Sequence, residues 1–153
     1  MKICELLKPD HIFLDLKPGD KRQVLEEFVK ALKKRGLIKA EKTILKEILK
    51  RESIGSTGLE KGIAVPHALI SKIKEPLLAM ALFKRGIDFG SADQKPTRAV
   101  LLLLGNKDFP GTQLKILAHI CRLVKETNFV SKLKKAKSHL DVCSIIEEEE
   151  RKI

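Results

Sequence analysis

The chain has 153 residues, 43% of them hydrophobic and 33% charged, and its Lys and Arg outnumber Asp and Glu by 31 to 20, a formal net charge of +11. A chain this long buries roughly 70% of the surface its unfolded form exposes, so one α/β domain over residues 1–153 is expected to fold without disulfide or metal. With no Trp, no Tyr and six Phe there is no aromatic platform for single-stranded nucleic acid, and apolar runs such as residues 99–104 are strand-sized rather than the ~20 residues of a membrane helix.

The N-terminal MKICELLKPD meets Lys and Asp too early for a signal peptide. Cys4, Cys121 and Cys143 are widely spaced, without a CxxC pattern, and read as reduced thiols of a cytoplasmic protein. His11, His67, His119 and His139 lie far apart, with no metal-ligand spacing. The basic residues are spread along the chain, with Arg scarce beside Lys; a solvated lysine-rich surface is the favoured reading over a nucleic-acid interface.

In chain order, residues 12–16 alternate like a short strand. Lys17-Pro18-Gly19-Asp20 is a turn leading into a helix cap. From Lys21, Val24, Leu25, Phe28, Val29 and Leu32 recur at helical spacing and Gly36 supplies a left-handed end. A second helix is predicted over 40–51, with Ile44, Leu45, Ile48 and Leu49 on one face. Residues 55–67, GSTGLEKGIAVPH, hold a short strand, Ile63-Ala64-Val65, that opens directly into Pro66-His67.

Residues 77–83 and 98–104 are apolar at nearly every position, as in strands covered on both faces. Between them, Gly86-Ile87-Asp88-Phe89 reads as a short edge element and Asp93-Gln94-Lys95-Pro96 as a turn. Helices are predicted over 112–126, 127–135 and 138–150, with the acidic run 147–150 a frayed, solvated end. The alternation gives a three-layer α/β sandwich, a single mixed sheet of about five strands flanked by helices on both faces.

His67 stands after a strand and a proline, on restricted backbone. Upstream lies a Gly-rich, hydroxyl-bearing loop, Gly55-Ser56-Thr57-Gly58, whose N–H groups can face an anion. Arg51, ending the second helix, can pair with phosphate oxygens. An imidazole, with an ordinary pKa of about 6.5, is largely neutral and nucleophilic near neutrality. Spacing alone leaves a phosphoryl acceptor, a general base and a core histidine all open.

The run Arg51-Glu52-Ser53-Ile54-Gly55-Ser56-Thr57-Gly58 followed by Gly62-Ile63-Ala64-Val65-Pro66-His67 resembles the active-site signature of enzyme IIA domains of the bacterial phosphotransferase system, mannitol/fructose type. Leu6-Leu7-Lys8-Pro9-Asp10-His11-Ile12 with Asp20-Lys21 is closest to the nitrogen-regulatory enzyme IIA, and the blocks at 86–89 and 93–96 fall in the family's order. The resemblance implies that His67 accepts a phosphoryl group on Nε2 from a histidine-containing phosphocarrier protein, forming a transient phosphohistidine as a phosphotransferase component. It implies that Arg51 binds phosphoryl oxygens, that Ser56, Thr57 and Gly58 form a loop close to the site, and that no cofactor is needed. For Ser56 and Thr57, simple turn formation stays open beside direct contact.

Sugar-type relatives carry a second histidine where this chain has Gln113, which can hydrogen-bond the phosphoryl group but carries no charge. His119 is not its replacement: with Leu117, Ile120, Cys121 and Val124 taken as the buried face of that helix, His119 points to solvent. The leading expectation is a stand-alone regulatory phosphocarrier of the nitrogen type. The alternatives are a fructose- or mannitol-type enzyme IIA passing phosphate to a separate enzyme IIB, and a binding regulator indifferent to phosphorylation. The basic surface also predicts an acidic carrier, or a local acidic patch from Glu52, Glu60 and Asp93.

Overall fold

The computed structural model describes residues 2–153. Its first elements are a helix α1 (Ile3–Leu6), a 3-10 turn Pro9–His11 and a strand β1 (Ile12–Phe13). The strand expected over 12–16 thus shrinks to two residues, and α1 has no counterpart in the sequence pattern. Both depend on distant partners rather than local periodicity: β1 pairs with a later strand and α1 packs on the last helix.

Helix α2 (Lys21–Lys34) follows its signals closely. The Asp20 carboxylate accepts the Gln23 N–H at 2.8 Å, and the Gln23 side chain accepts the Asp20 N–H at 3.0 Å, a reciprocal cap that satisfies first-turn amides. Val24, Leu25, Phe28, Val29 and Leu32 are its buried stripe, and Gly36 follows it in left-handed backbone at φ 75°. Helix α3 (Glu41–Ile54) buries Ile44 and Ile48 and runs on past Arg51 to Ile54.

The sheet comprises β1, β2 (Ile63–Ala64), β3 (His67–Ile70), β4 (Leu77–Ile87) and β5 (Thr97–Asn106), in the order β1-β4-β5-β2, with β3 also paired to β5. β4 and β5 are antiparallel; β1 runs parallel to β4, and β2 and β3 run parallel to β5. The expected edge element at 86–89 is not separate: Gly86 and Ile87 close β4 after a register irregularity. His67 does not merely follow a strand but begins one. Ile63 pairs with Ala99 and His67 with Leu103, so β2 and β3 keep one register along β5, and the Leu103 N–H donates to the Pro66 carbonyl at 3.0 Å between them.

Alternate residues of this sheet feed two cores. Ile63, Leu78, Met80, Ala99, Leu101 and Leu103 pack beneath α1, α4 (Pro110–Glu126), α5 (Phe129–Leu133) and α6 (His139–Glu150). Ala64, Ala79, Ala81, Val100, Leu102 and Leu104 face α2 and α3. Burial on both sides is why β4 and β5 read as continuous apolar runs, and the result is the three-layer α/β sandwich with a mixed five-stranded sheet.

The C-terminal layer corrects several sequence readings. α4 turns Gln113, Ile116, Ile120, Leu123 and Val124 inward, while Cys121 is exposed. His119 is half-buried rather than solvent-facing, its Nε2 2.7 Å from Glu150 Oε2. The helix expected over 127–135 is confined to Phe129–Leu133. The acidic end of α6 is not frayed: Glu149 and Glu150 are only 2% and 6% exposed.

Candidate functional site

His67 is set by the backbone before any side chain acts on it. Because it pairs with Leu103, it projects on the face that Leu103 presents to α4. Its Nδ1 lies 2.8 Å from the carbonyl of Val65, two residues earlier. A carbonyl oxygen can only accept, so Nδ1 carries the proton, and in the neutral ring Nε2 holds the lone pair.

A groove of about 530 Å³ takes in His67, Arg51 and Gln113 together with Lys50, Ile54 and Lys107. Arg51 comes from α3, on the other side of the sheet from α4, and one of its guanidinium N–H groups donates to the Gly55 carbonyl at 2.9 Å. Gln113 lies in the first turn of α4, at the helix end whose dipole is positive. It is 6% exposed, and its Oε1 is buried without a hydrogen-bond partner. Glu47 is the acidic group among the lining residues, against the cations Lys50, Arg51 and Lys107. The groove therefore favours an anion. Lys50 and Lys107 escaped the sequence reading because lysines are everywhere in this chain; the one available signal for Lys107 is its place directly after a long apolar strand.

Ser56, Thr57 and Gly58 do not line this groove. Their polar groups hold the loop together instead. Ser56 Oγ donates to the Phe89 carbonyl at 2.7 Å and accepts from Lys21 Nζ at 3.2 Å and the Gly58 N–H at 3.0 Å. The Thr57 hydroxyl donates to Glu52, whose carboxylate also pairs with Lys21 Nζ at 3.0 Å. Gly58 sits so close to Ser91 and Phe89 that a Cβ there would collide with backbone. Glu52, buried and paired, is thus unavailable for the expected acidic docking patch. Asp93, partly exposed, accepts backbone N–H groups of Lys61 and Lys95 and keeps its charge.

Among the described residues, no group of three or more His, Cys, Asp and Glu side chains is placed to hold a metal ion. No helix among them is long and apolar enough to cross a membrane.

Comparison with known proteins identifies the family. The family model described as phosphoenolpyruvate-dependent sugar phosphotransferase system, EIIA 2, matches residues 5–149. The chain belongs to this family. It is 32% identical over 147 residues to a nitrogen regulatory protein of Bradyrhizobium diazoefficiens, covering 95% of each chain. It is 31% identical over 151 residues to the fructose-specific EIIABC component of Bacillus subtilis, of which it spans 24%. The crystal structure of nitrogen regulatory protein IIA-Ntr from Neisseria meningitidis superposes with a TM-score of 0.84 at 26% identity, over 94% of this chain and 98% of that one.

Proposed function

We propose that this protein is a phosphohistidine carrier, taking a phosphoryl group on Nε2 of His67 from a histidine-containing phosphocarrier protein and serving a regulatory, nitrogen-type branch. The observation that carries the reading is the 2.8 Å contact from Nδ1 to the Val65 carbonyl, within a groove bordered by Lys50, Arg51 and Lys107. The Nε2 lone pair attacks the phosphorus of the donor phosphohistidine; the new N–P bond forms as the old one breaks, and its electron pair returns to the donor imidazole. The proton stays on Nδ1, donated to the Val65 carbonyl, which holds the ring's orientation as it gains positive charge. Little covalent help is needed, so positioning and charge dominate. Arg51 and the lysines stabilise the equatorial oxygens, Gln113 offers a neutral hydrogen bond, and Ser56, Thr57 and Gly58 support the site through loop 55–58.

The regulatory branch is supported by the nitrogen regulatory relatives, the Neisseria structure among them. The likeness to a fructose-specific EIIABC component favours a second reading, delivery to an enzyme IIB for sugar uptake. Incubation with phosphoenolpyruvate, enzyme I and phosphocarrier should add one phosphate by intact mass, and His67→Ala should abolish the gain. No gain with several competent carriers would overturn the proposal. Transfer onward to a fructose-type enzyme IIB would replace the regulatory branch with the uptake reading.

A further inference from the structure

At the opposite end of β5 from His67 the molecule holds a second concentration of positive charge. A cavity of about 290 Å³ is bounded by Lys61, Lys95, Arg98 and Lys134, with no Asp or Glu in its lining. Among the described residues none of these four cations forms a salt bridge, although the chain has ion pairs elsewhere. The nearby carboxylate of Asp93 accepts backbone N–H groups and forms no salt bridge with any of the four.

Two of the cations are held in place rather than free on the surface. Lys61 lies in left-handed backbone at φ 63°, a conformation that disfavours a side chain and persists where surroundings enforce it. Its Nζ donates to the carbonyls of Val124 and Lys125 at 3.0 and 3.1 Å, which leaves one donor. Arg98 is tied by one guanidinium nitrogen to the Lys84 carbonyl. Thr127, Asn128 and Ser131 add polar groups to the wall.

Arg98 and Lys134 also border a second, smaller chamber of about 120 Å³. Its other walls are largely apolar, with Leu82, Phe83 and Leu133 among them, and Lys84 and Lys137 add further cations. The two chambers share no lining residue with the His67 groove. Arg98 lies five residues before Leu103, the partner of His67, about 17 Å along the strand.

We infer that this pair of chambers is a binding site for a soluble phosphate ester, the phosphate lying among Lys61, Lys95, Arg98 and Lys134 and the apolar body entering the chamber lined by Leu82, Phe83 and Leu133. Unpaired cations that share a concave wall raise the local concentration of anions, and Arg adds bidentate phosphate geometry. The adjoining apolar walls distinguish an organic phosphate from the inorganic ion.

The test is titration of the full chain with phenyl phosphate, followed by amide chemical shifts and calorimetry. Phenyl phosphate should bind at least about tenfold more tightly than inorganic phosphate, with shifts centred on residues 95–98 and 127–134. The double variant Lys95→Gln/Lys134→Gln, at two exposed positions that leave the fold intact, should weaken it at least about tenfold while His67 phosphorylation is unchanged. Arg98→Gln should weaken it further. Equal affinity for the two phosphates, shifts confined to the His67 groove, or affinity unmoved by the double variant would each overturn the inference. Retention on phosphatidylglycerol vesicles without phenyl phosphate binding would overturn it in favour of a membrane surface.

Discussion

At Gln113 the amide can donate through Nε2 and accept through Oε1, but it stays neutral, and Oε1 is buried without a partner. An imidazole there would offer a donor able to become cationic as negative charge gathers beside it. Gln113→His is therefore expected to raise the phosphorylation rate of His67 about tenfold, equivalent to ~1.4 kcal/mol of barrier, measured by rapid quench. An unchanged rate would remove Gln113 from the chemistry. Gly105 is coupled to the same side chain, since a Cβ built on it would collide with Gln113 Oε1. Gly105→Ala should destabilise by about 1–3 kcal/mol, and adding Gln113→Ala should recover part of that loss. A double-mutant cycle in urea reads the coupling; strict additivity would mean that the two do not touch.

Among the elements, α6 holds the least expected arrangement. A carboxylate at a helix C-terminus opposes the helix dipole, so burying two there requires strong compensation. Glu150 accepts the backbone N–H groups of Ile3 and Cys4, both at 2.7 Å, and faces His119; Glu149 is paired with Lys132 and Lys152. Burial alone would raise the Glu150 carboxyl, but the hydrogen bonds from Cys4, His119 and Ile3 outweigh it and hold it below the ordinary carboxylate range. Hydrogen bonds from Lys132 and Lys152 likewise lower Glu149. A lowered folded-state pKa gives stability that is present above the ordinary carboxyl value of about 4.3 and lost as pH falls through the folded value. Melting temperature should thus hold down to about pH 5 and then fall. Glu150→Gln should lose roughly 1.5–3 kcal/mol at pH 7, roughly 3–12 °C in melting temperature, and show a shallower acid decline. An identical acid profile would mean that Glu150 does not clasp the two ends of the chain. Little of this was legible in four consecutive glutamates, because all the groups that receive them except Lys152 lie in α1, α4 and α5. By contrast α2, α3, β4 and β5 were legible, their long apolar patterns deciding their own structure. His67 and Gln113 could be singled out from the order of motifs; β3 could not, since its four residues are a strand only through β5.

Across the whole molecule, the charge of +11 is met at the groove by a single lining carboxylate, Glu47, against Lys50, Arg51 and Lys107. With Glu52 paired to Lys21, the proposed function calls for a docking phosphocarrier that brings negative charge itself. Its encounter rate should then fall about tenfold as ionic strength rises from ~0.01 to ~0.15 M, where the screening length drops from ~30 to ~8 Å. Replacing Lys50 and Lys107 by Gln should reduce that salt dependence. A rate indifferent to salt and to both replacements would exclude electrostatic docking. Ile54, at the groove, is 80% exposed, and Phe109 and Leu114 are exposed at the amino end of α4, so apolar contact is also on offer to such a partner.

The interruption between β2 and β3 has a consequence for heredity. The acceptor that fixes the His67 tautomer is the main-chain oxygen of Val65, a group every amino acid supplies. No replacement of the Val65 side chain deletes it. On the proposed function, mutation can alter how fast the imidazole works, through Gln113 or the lysines around it, but it can change which nitrogen is free only by rebuilding the strand. Descendants of this sequence can therefore drift in rate and partner while inheriting the same free ring nitrogen.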